Sequence, residues 1–213
     1  MAHVISVATL KGGVGKTTIS MNLGTCFHQM RLRVLLVDAN PEQNSLSQWA
    51  ACAEQNGHDV PAVVGIDGKR LRKELEKVGA GFDVVIVDSA PAGVDARAAM
   101  VCADLVIMPV TPGAQEVWTL DKTLAVLEEA QALRPEIKAR LLFNNAERTQ
   151  LSTKAQQTLE GENVPLLAAV LRHRVTFGEA MATGQGVVTY EPQSDAAAEV
   201  RRMAKEVLGV LRD

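Results

Sequence analysis

Lys11-Gly12-Gly13-Val14-Gly15-Lys16-Thr17-Thr18 follows the apolar run Val4-Ile5-Ser6-Val7-Ala8 and leads into a segment of helical period. A strand that feeds a glycine-rich turn opening a helix aims several main-chain N–H groups, with the positive end of the helix dipole, at one point. A polyphosphate is the natural ligand of such a point. Glycine is required because the turn wraps so closely that a side chain would collide with the ligand, and because some positions demand positive φ. At this spacing Lys16 reaches the β- and γ-phosphates, and the Thr17 hydroxyl coordinates Mg²⁺. The general pattern G-x-x-x-x-G-K-[ST] is not met in full: Leu10 stands where its first glycine belongs, and Gly12 and Gly13 supply the flexibility.

Around this loop, apolar runs alternate with helix-period segments, the pattern of an α/β protein with a doubly wound, mostly parallel sheet and helices on both faces. Strands are expected at Val4–Ala8, Val34–Val37, Val60–Val64, Val84–Val87, Leu105–Val110, Arg140–Phe143 and Leu167–Leu171. Helices are expected at Thr17–Met30, Ser45–Glu54, Lys69–Val78, Ala96–Cys102, Thr119–Leu133, Ser152–Gly161 and Ala196–Leu211. No linker or repeat interrupts them, so residues 1–213 read as one domain. Aromatic residues make up only 3% of the chain while aliphatic ones abound, as a sheet buried on both faces requires.

No apolar run approaches about 18 residues and no leader with a cleavage site opens the chain, which points to a soluble, cytoplasmic protein. Cys26, Cys52 and Cys102 are odd in number and widely spaced in apolar or helical settings, which suits buried free thiols. His3, His28, His58 and His173 lack ligand spacing, so no structural metal is assigned. A net charge of −3 argues against a uniformly basic nucleic-acid surface but allows a local patch formed on dimerisation.

Ligands bind at the carboxyl ends of the strands in such a sheet. The run Val84-Val85-Ile86-Val87 closes on Asp88, followed by Ser89-Ala90-Pro91. An acid ending an apolar strand beside a phosphate loop is the pattern that holds Mg²⁺, commonly through water.

The octet K-G-G-x-G-K-T-T, with its leading lysine, resembles the deviant Walker A loop of the ParA/MinD ATPases, and the chain is similar to them from end to end, in particular to small ParA-type partition and positioning ATPases. The resemblance implies a P-loop NTPase fold of the deviant Walker A type, hydrolysis of ATP to ADP and phosphate, and a homodimer that assembles with ATP. Lys11 would cross the dimer interface to the partner's phosphates, while Gly12, Gly13, Val14, Gly15, Lys16, Thr17 and Thr18 line the nucleotide. The second strand ends in Asp38-Ala39-Asn40-Pro41, where the family carries Asp-x-Asp-Pro. Its first carboxylate, here Asp38, belongs near the metal and phosphates, and its second positions the attacking water. Asn40 takes that second place, and Glu42-Gln43-Asn44-Ser45 behind it is one residue longer than the family's spacing. An amide orients water without accepting its proton, so slow hydrolysis is expected. A natural subgroup tolerant of Asn and an engineered replacement that traps the ATP-bound dimer would both show this residue. Met108-Pro109-Val110-Thr111-Pro112 resembles the family's proline loop near the dimer interface, although two prolines also simply end a strand. Asn144, after Leu141-Leu142-Phe143, stands where related nucleotide-binding domains contact adenine; an Asn in a turn or helix cap would look the same.

Phosphate binding leaves the cargo open. In the leading reading the ATP-bound dimer holds DNA nonspecifically over the nucleoid, a ParB-like or other adaptor protein stimulates hydrolysis, and a plasmid, chromosome or protein complex is segregated or positioned. Arg172, His173 and Arg174 after the seventh strand, with Arg201, Arg202 and Lys205 on the final helix, are the phosphate contacts it nominates. Capping of strands, or pairing with Glu199 and Glu206, is the alternative for these residues. The second reading is MinD-like positioning on a membrane, suggested by the stripe Val200, Met203, Val207, Leu208 and Leu211. The same stripe is what packing on a sheet requires, and Glu199 and Glu206 interrupt it, so core packing is expected and membrane association is not. The third is a metabolic or redox enzyme such as the nitrogenase iron protein or dethiobiotin synthetase. Cys102, in Met100-Val101-Cys102-Ala103, lacks the glycine-rich setting of a cluster ligand, and no second-substrate pocket is recognisable. Finally, the loop begins by residue 11, leaving no room for the N-terminal helix-turn-helix of long ParA proteins, so sequence-specific DNA binding is not expected.

Overall fold

Strands buried on both faces must be apolar along their whole length, and Val34–Ala39, Val84–Ser89 and Leu105–Val110 are buried at every position. The computed structural model describes residues 2–40, 43–91 and 93–212, with the main chain alone at 114–118. Among these residues seven strands form one sheet: β1 (His3–Val7), β2 (Val34–Ala39), β3 (Ala62–Gly65), β4 (Val84–Ser89), β5 (Leu105–Val110), β6 (Lys138–Ala146) and β7 (Leu166–Arg172). Their order is β3-β2-β4-β1-β5-β6-β7, and every pairing is parallel. The chain therefore winds outward in both directions from β1, and the carboxyl end of β1 lies at the switch point.

The intervening helices are α1 (Lys16–Gln29), α2 (Ser45–Gln55), α3 (Leu71–Val78), α4 (Gly93–Val101), α5 (Ala114–Leu133), α6 (Gln150–Glu160), α7 (Val175–Ala182), α8 (Val187–Tyr190) and α9 (Asp195–Arg212). On one face Ile5, Val84, Ile86 and Leu105 pack with Phe27 of α1, Trp49 of α2 and Val200, Met203 and Val207 of α9. On the other, Val85 and Val87 meet α3, while Val106, Met108 and Phe143 meet α5 and α6. Alternation along β4 sends Val84 and Ile86 to the α1 face, so Asp88 points there too. The stripe on α9 is thus core, with Leu211 buried and Leu208 packed beside it. No helix among the described residues is long and apolar enough to cross a membrane.

The structure shifts some expected boundaries. β3 starts after Pro61, which has no N–H to give a ladder. β6 runs on to Ala146, so Asn144 lies in a strand rather than in a turn or cap. The short α7 and α8 were not expected, because neither is long enough to show a helical apolar period. Of the three free cysteines only Cys26 is buried, whereas Cys52 and Cys102 are half-buried. Pro109 is accommodated inside β5 because Ile107 gives its carbonyl to Ala8, so the Pro109 nitrogen faces the β1 side, where β1 has already left the sheet.

The outer strand β7 is irregular. Leu141 pairs with Leu166 and Phe143 with Val170, so two residues of β6 face four of β7. The displaced amides of Ala168 and Ala169 donate to the two carboxylate oxygens of Glu206 on α9, at 2.8 and 2.9 Å, and the Arg172 amide donates to Glu199 at 3.0 Å. These two glutamates are acceptors for an open sheet edge. Glu206→Ala should lower unfolding free energy by about 1–3 kcal/mol in urea titration, the cost of unsatisfied amides; an unchanged midpoint would show that water replaces the carboxylate.

Candidate functional site

The loop leaves the sheet at the end of β1, where the Ala8 amide donates to Ile107 at 3.0 Å. Gly13 and Gly15 adopt φ of 76° and 87°, the left-handed region open to glycine. A Cβ on Gly12 or Gly13 would meet nothing within 4 Å, so the space over the loop is open to a ligand. Gly15 caps α1 without a side-chain hydrogen bond, and no acid occupies the first turn. The positive end of α1 and its unpaired first-turn amides therefore face that space unopposed.

Lys16 is buried, and its Nζ donates to the Lys11 carbonyl at 2.8 Å. Burial draws its pKa below the usual lysine value, with nearby Asp88 pulling the other way. The Thr17 hydroxyl donates to Asp88 Oδ2 at 2.6 Å, whereas the buried Asp88 Oδ1 has no hydrogen-bond partner. A hydroxyl beside a carboxylate with an unsatisfied oxygen is a hard-oxygen donor set, and these residues fit a Mg²⁺ ion. Burial pushes the Asp88 carboxyl up to about 7; the Thr17 hydrogen bond opposes this, the neighbouring Asp38 reinforces it, and Lys16 and the nearby Ser20 hydroxyl oppose it.

Asp38 and Asp88 stand opposite each other in register on β2 and β4. Asp38 Oδ1 accepts from the Asn40 amide at 3.1 Å, and Oδ2 accepts from the amide and hydroxyl of Ser47, both at 3.0 Å. Ser47 lies in the first turn of α2, where the N-cap residue, Asn44, offers no side-chain bond. The carboxylate expected at the phosphates thus also fastens β2 to α2. Asn40 donates its side-chain amide to Gln43 Oε1 at 2.9 Å. Pro41 and Glu42 of the same motif lie outside the described residues.

Two side chains hold the loop from afar. Asn144 Nδ2 donates to the Val14 carbonyl at 2.8 Å. Thr123 of α5 accepts from the Leu10 amide at 3.4 Å and shares a hydrogen bond with Thr9 at 3.3 Å, while Thr9 accepts from the Lys11 amide at 3.5 Å. Nothing in the sequence singles out Thr123, since its partners in the loop lie more than 100 residues away. Ser47 had a weak signal, as a serine in the first turn of an uncapped helix.

The five basic candidates separate. Arg174 Nε and Nη2 donate to Glu199 Oε1 at 3.1 and 2.8 Å, and Nη1 lies 3.1 Å from Asp195, so its guanidinium is committed within the chain. Arg172 stands 4.0 Å from Glu199. Arg201 donates to the Pro192 carbonyl, and Arg201, Arg202 and Lys205 are exposed on α9. Glu206 pairs with strand amides rather than with these cations. His173 Nδ1 lies 2.7 Å from Asn145 Oδ1 at the same end of the sheet.

The CobQ/CobB/MinD/ParA nucleotide binding domain (CbiA) matches residues 5–188. The chain is 32% identical over 212 residues to maintenance of carboxysome distribution protein A of Halothiobacillus neapolitanus, covering 97% of each. It is 27% identical over 252 residues to sporulation initiation inhibitor protein Soj of Bacillus subtilis, covering 97% of this chain and 98% of that protein. The septum site-determining protein MinD of Pyrococcus horikoshii, solved with Mg-ADP, shares the fold at a TM-score of 0.78 and 23% identity, over 97% of this chain and 96% of that one.

A carboxyl whose folded-state pKa lies above its unfolded value holds an extra proton on folding, so its contribution to stability is lost as pH rises from about 4 to about 7. In thermal melts without nucleotide or metal, Asp88→Asn should therefore gain stability over wild type as pH increases through that window, by on the order of a few kcal/mol at pH 8. A difference that stays flat with pH would refute the raised pKa.

Proposed function

The chain belongs to the CobQ/CobB/MinD/ParA nucleotide-binding family, and from that premise we propose that it is a ParA-type ATPase switch that dimerises on ATP, holds nonspecific DNA in that state and positions a cargo with a stimulating partner protein. The observation that carries this reading is the glycine loop opening α1 with Lys16 at its mouth and Thr17 held 2.6 Å from Asp88.

ATP lies over the loop with its phosphates on the first-turn amides of α1. To reach the β- and γ-phosphates Lys16 exchanges the Lys11 carbonyl for phosphate oxygens, an exchange eased by its burial. Thr17 and Asp88 hold Mg²⁺, which when bound offsets the charge on the phosphate oxygens. The adenine end falls toward the end of β6, near Asn144. Lys11 extends to the phosphates of the partner subunit and joins two protomers around two nucleotides. Asp38 holds the β2–α2 turn, and Asn40, carried on that turn, orients the attacking water. Because its amide does not take the water's proton, the switch resets slowly until the partner protein acts.

Arg201, Arg202 and Lys205, with Arg172 beside them, supply the DNA-phosphate contacts, and Arg174 serves as their support through Glu199. The dimer doubles this patch, which reconciles DNA binding with a net charge of −3. Such a protein works in the cytoplasm and sits on the nucleoid when ATP is bound. A relative that maintains carboxysome distribution supports a positioning role.

Gel filtration with light scattering in ADP and in ATP, followed by DNA retention in each state, tests the reading. The ATP form is expected to be a dimer that holds DNA and releases it as salt rises; DNA retention independent of nucleotide would overturn the switch. Lys16→Ala should abolish nucleotide binding, whereas Lys11→Ala should keep it and lose the dimer. Dimerisation of Lys11→Ala at wild-type concentration would remove the family's trans contact. Phosphate-release assays should find Asn40→Asp at least about tenfold faster than wild type; equal rates would remove Asn40 from the mechanism.

A further inference from the structure

Asn144 sits near the end of β6, yet its side-chain amide is directed at the phosphate loop, donating to the Val14 carbonyl at 2.8 Å. That bond fixes more than one atom. The Val14 carbonyl and the Gly15 N–H belong to one planar trans peptide and point in opposite directions. Drawing the carbonyl toward β6 turns the Gly15 N–H away from β6, toward the open side of the loop. On its Gly15 side no steric barrier enforces this orientation, because Gly15 sits at φ 87° and glycine adopts either sign of φ without penalty. A flipped Val14–Gly15 peptide would aim a carbonyl, the negative end of the dipole, at the site of a bound anion. The next plane is already fixed, since the Gly15 carbonyl accepts from the Ile19 amide at 2.9 Å within α1. The fit against Asn144 is close as well: a Cβ on Gly15 would lie 2.5 Å from Asn144 Nδ2. Lys16 holds a second loop carbonyl, that of Lys11, but gives it up when it moves to phosphate. The neutral amide of Asn144 has no such competing charge and keeps its carbonyl.

We propose that Asn144 is a positioning residue that locks the Val14–Gly15 peptide with its N–H toward the bound phosphate, and so sets affinity for the polyphosphate irrespective of the base attached to it. This rests on the nucleotide-binding reading and assigns Asn144 a role distinct from contact with adenine.

Calorimetric titration of wild type, Asn144→Ala and the near-isosteric Asn144→Leu with magnesium tripolyphosphate, MgATP and MgGTP tests it. Both variants should lose affinity for all three by a similar factor, about five- to tenfold, the worth of one neutral hydrogen bond. Loss confined to MgATP, with tripolyphosphate binding unchanged, would identify a base contact instead and overturn the inference, as would no loss at all. A second measurement needs no variant. In ¹⁵N-labelled wild type, tripolyphosphate should move the Gly15 amide proton strongly downfield while the Asn144 side-chain amide stays protected from exchange. A Gly15 resonance that does not move while tripolyphosphate binds overturns the peptide lock and leaves nucleotide binding intact. Wild-type protein that binds none of the three ligands overturns the nucleotide reading and the inference with it.

Discussion

Main-chain amides converge on an anion only if the carbonyls bound to them are led elsewhere, and the carboxyl-end edge of this sheet is arranged around that constraint. Along the loop, main-chain amides, a hydroxyl and two carbonyls find partners on different elements. Ile107 of β5 takes the Ala8 amide, Thr123 of α5 holds Thr9 and Leu10, Lys16 of α1 takes the Lys11 carbonyl, and Asn144 of β6 takes that of Val14. The strand order explains how this is possible. With β4 on one side of β1 and β5 then β6 on the other, the strand ends surround the loop. A glycine-rich octet alone would have the freedom to bind phosphate and equal freedom to turn away from it.

Electrostatics at the same edge follow from burial. Three ionisable groups, Lys16, Asp38 and Asp88, are almost wholly removed from water. Asp38 is compensated by three donors from the β2–α2 connection. Asp88 has Thr17 and a charge nearby, but one oxygen is left unsatisfied, so the desolvation penalty collects on it. The site is therefore strained toward a cation by the protein itself, and the helix dipole of α1 adds attraction for the anion that such a cation would accompany.

The parallel sheet and the identity of its loop were legible in the sequence because both rest on local patterns: apolar runs, a helix-length period and glycine spacing. Asp88 was legible for the same reason. What escaped was anything made by contacts between distant segments. Thr123 looks like any helical threonine, and Asn144 looked like a turn residue or a base contact because its partner Val14 is 130 positions away. Asp38 was placed correctly at a strand end, but its bonds to Ser47 depend on how the turn folds back. The glutamates of α9 read as interruptions of an apolar stripe. They are in fact acceptors for β7, a role that depends on a register shift no periodicity reveals. The basic residues could be nominated but not ranked until Arg174 was found between Glu199 and Asp195.

The glutamates on α9 also limit how this molecule can move. With Glu206 lodged against Ala168 and Ala169 and Glu199 against Arg172, the helix is stitched to the outermost strand at two points about two turns apart on one face and cannot swing without baring unpaired strand amides. Arg202 and Lys205 therefore ride on a rigid arm whose direction is set by the sheet. The helix itself is part of the chassis, not a moving part.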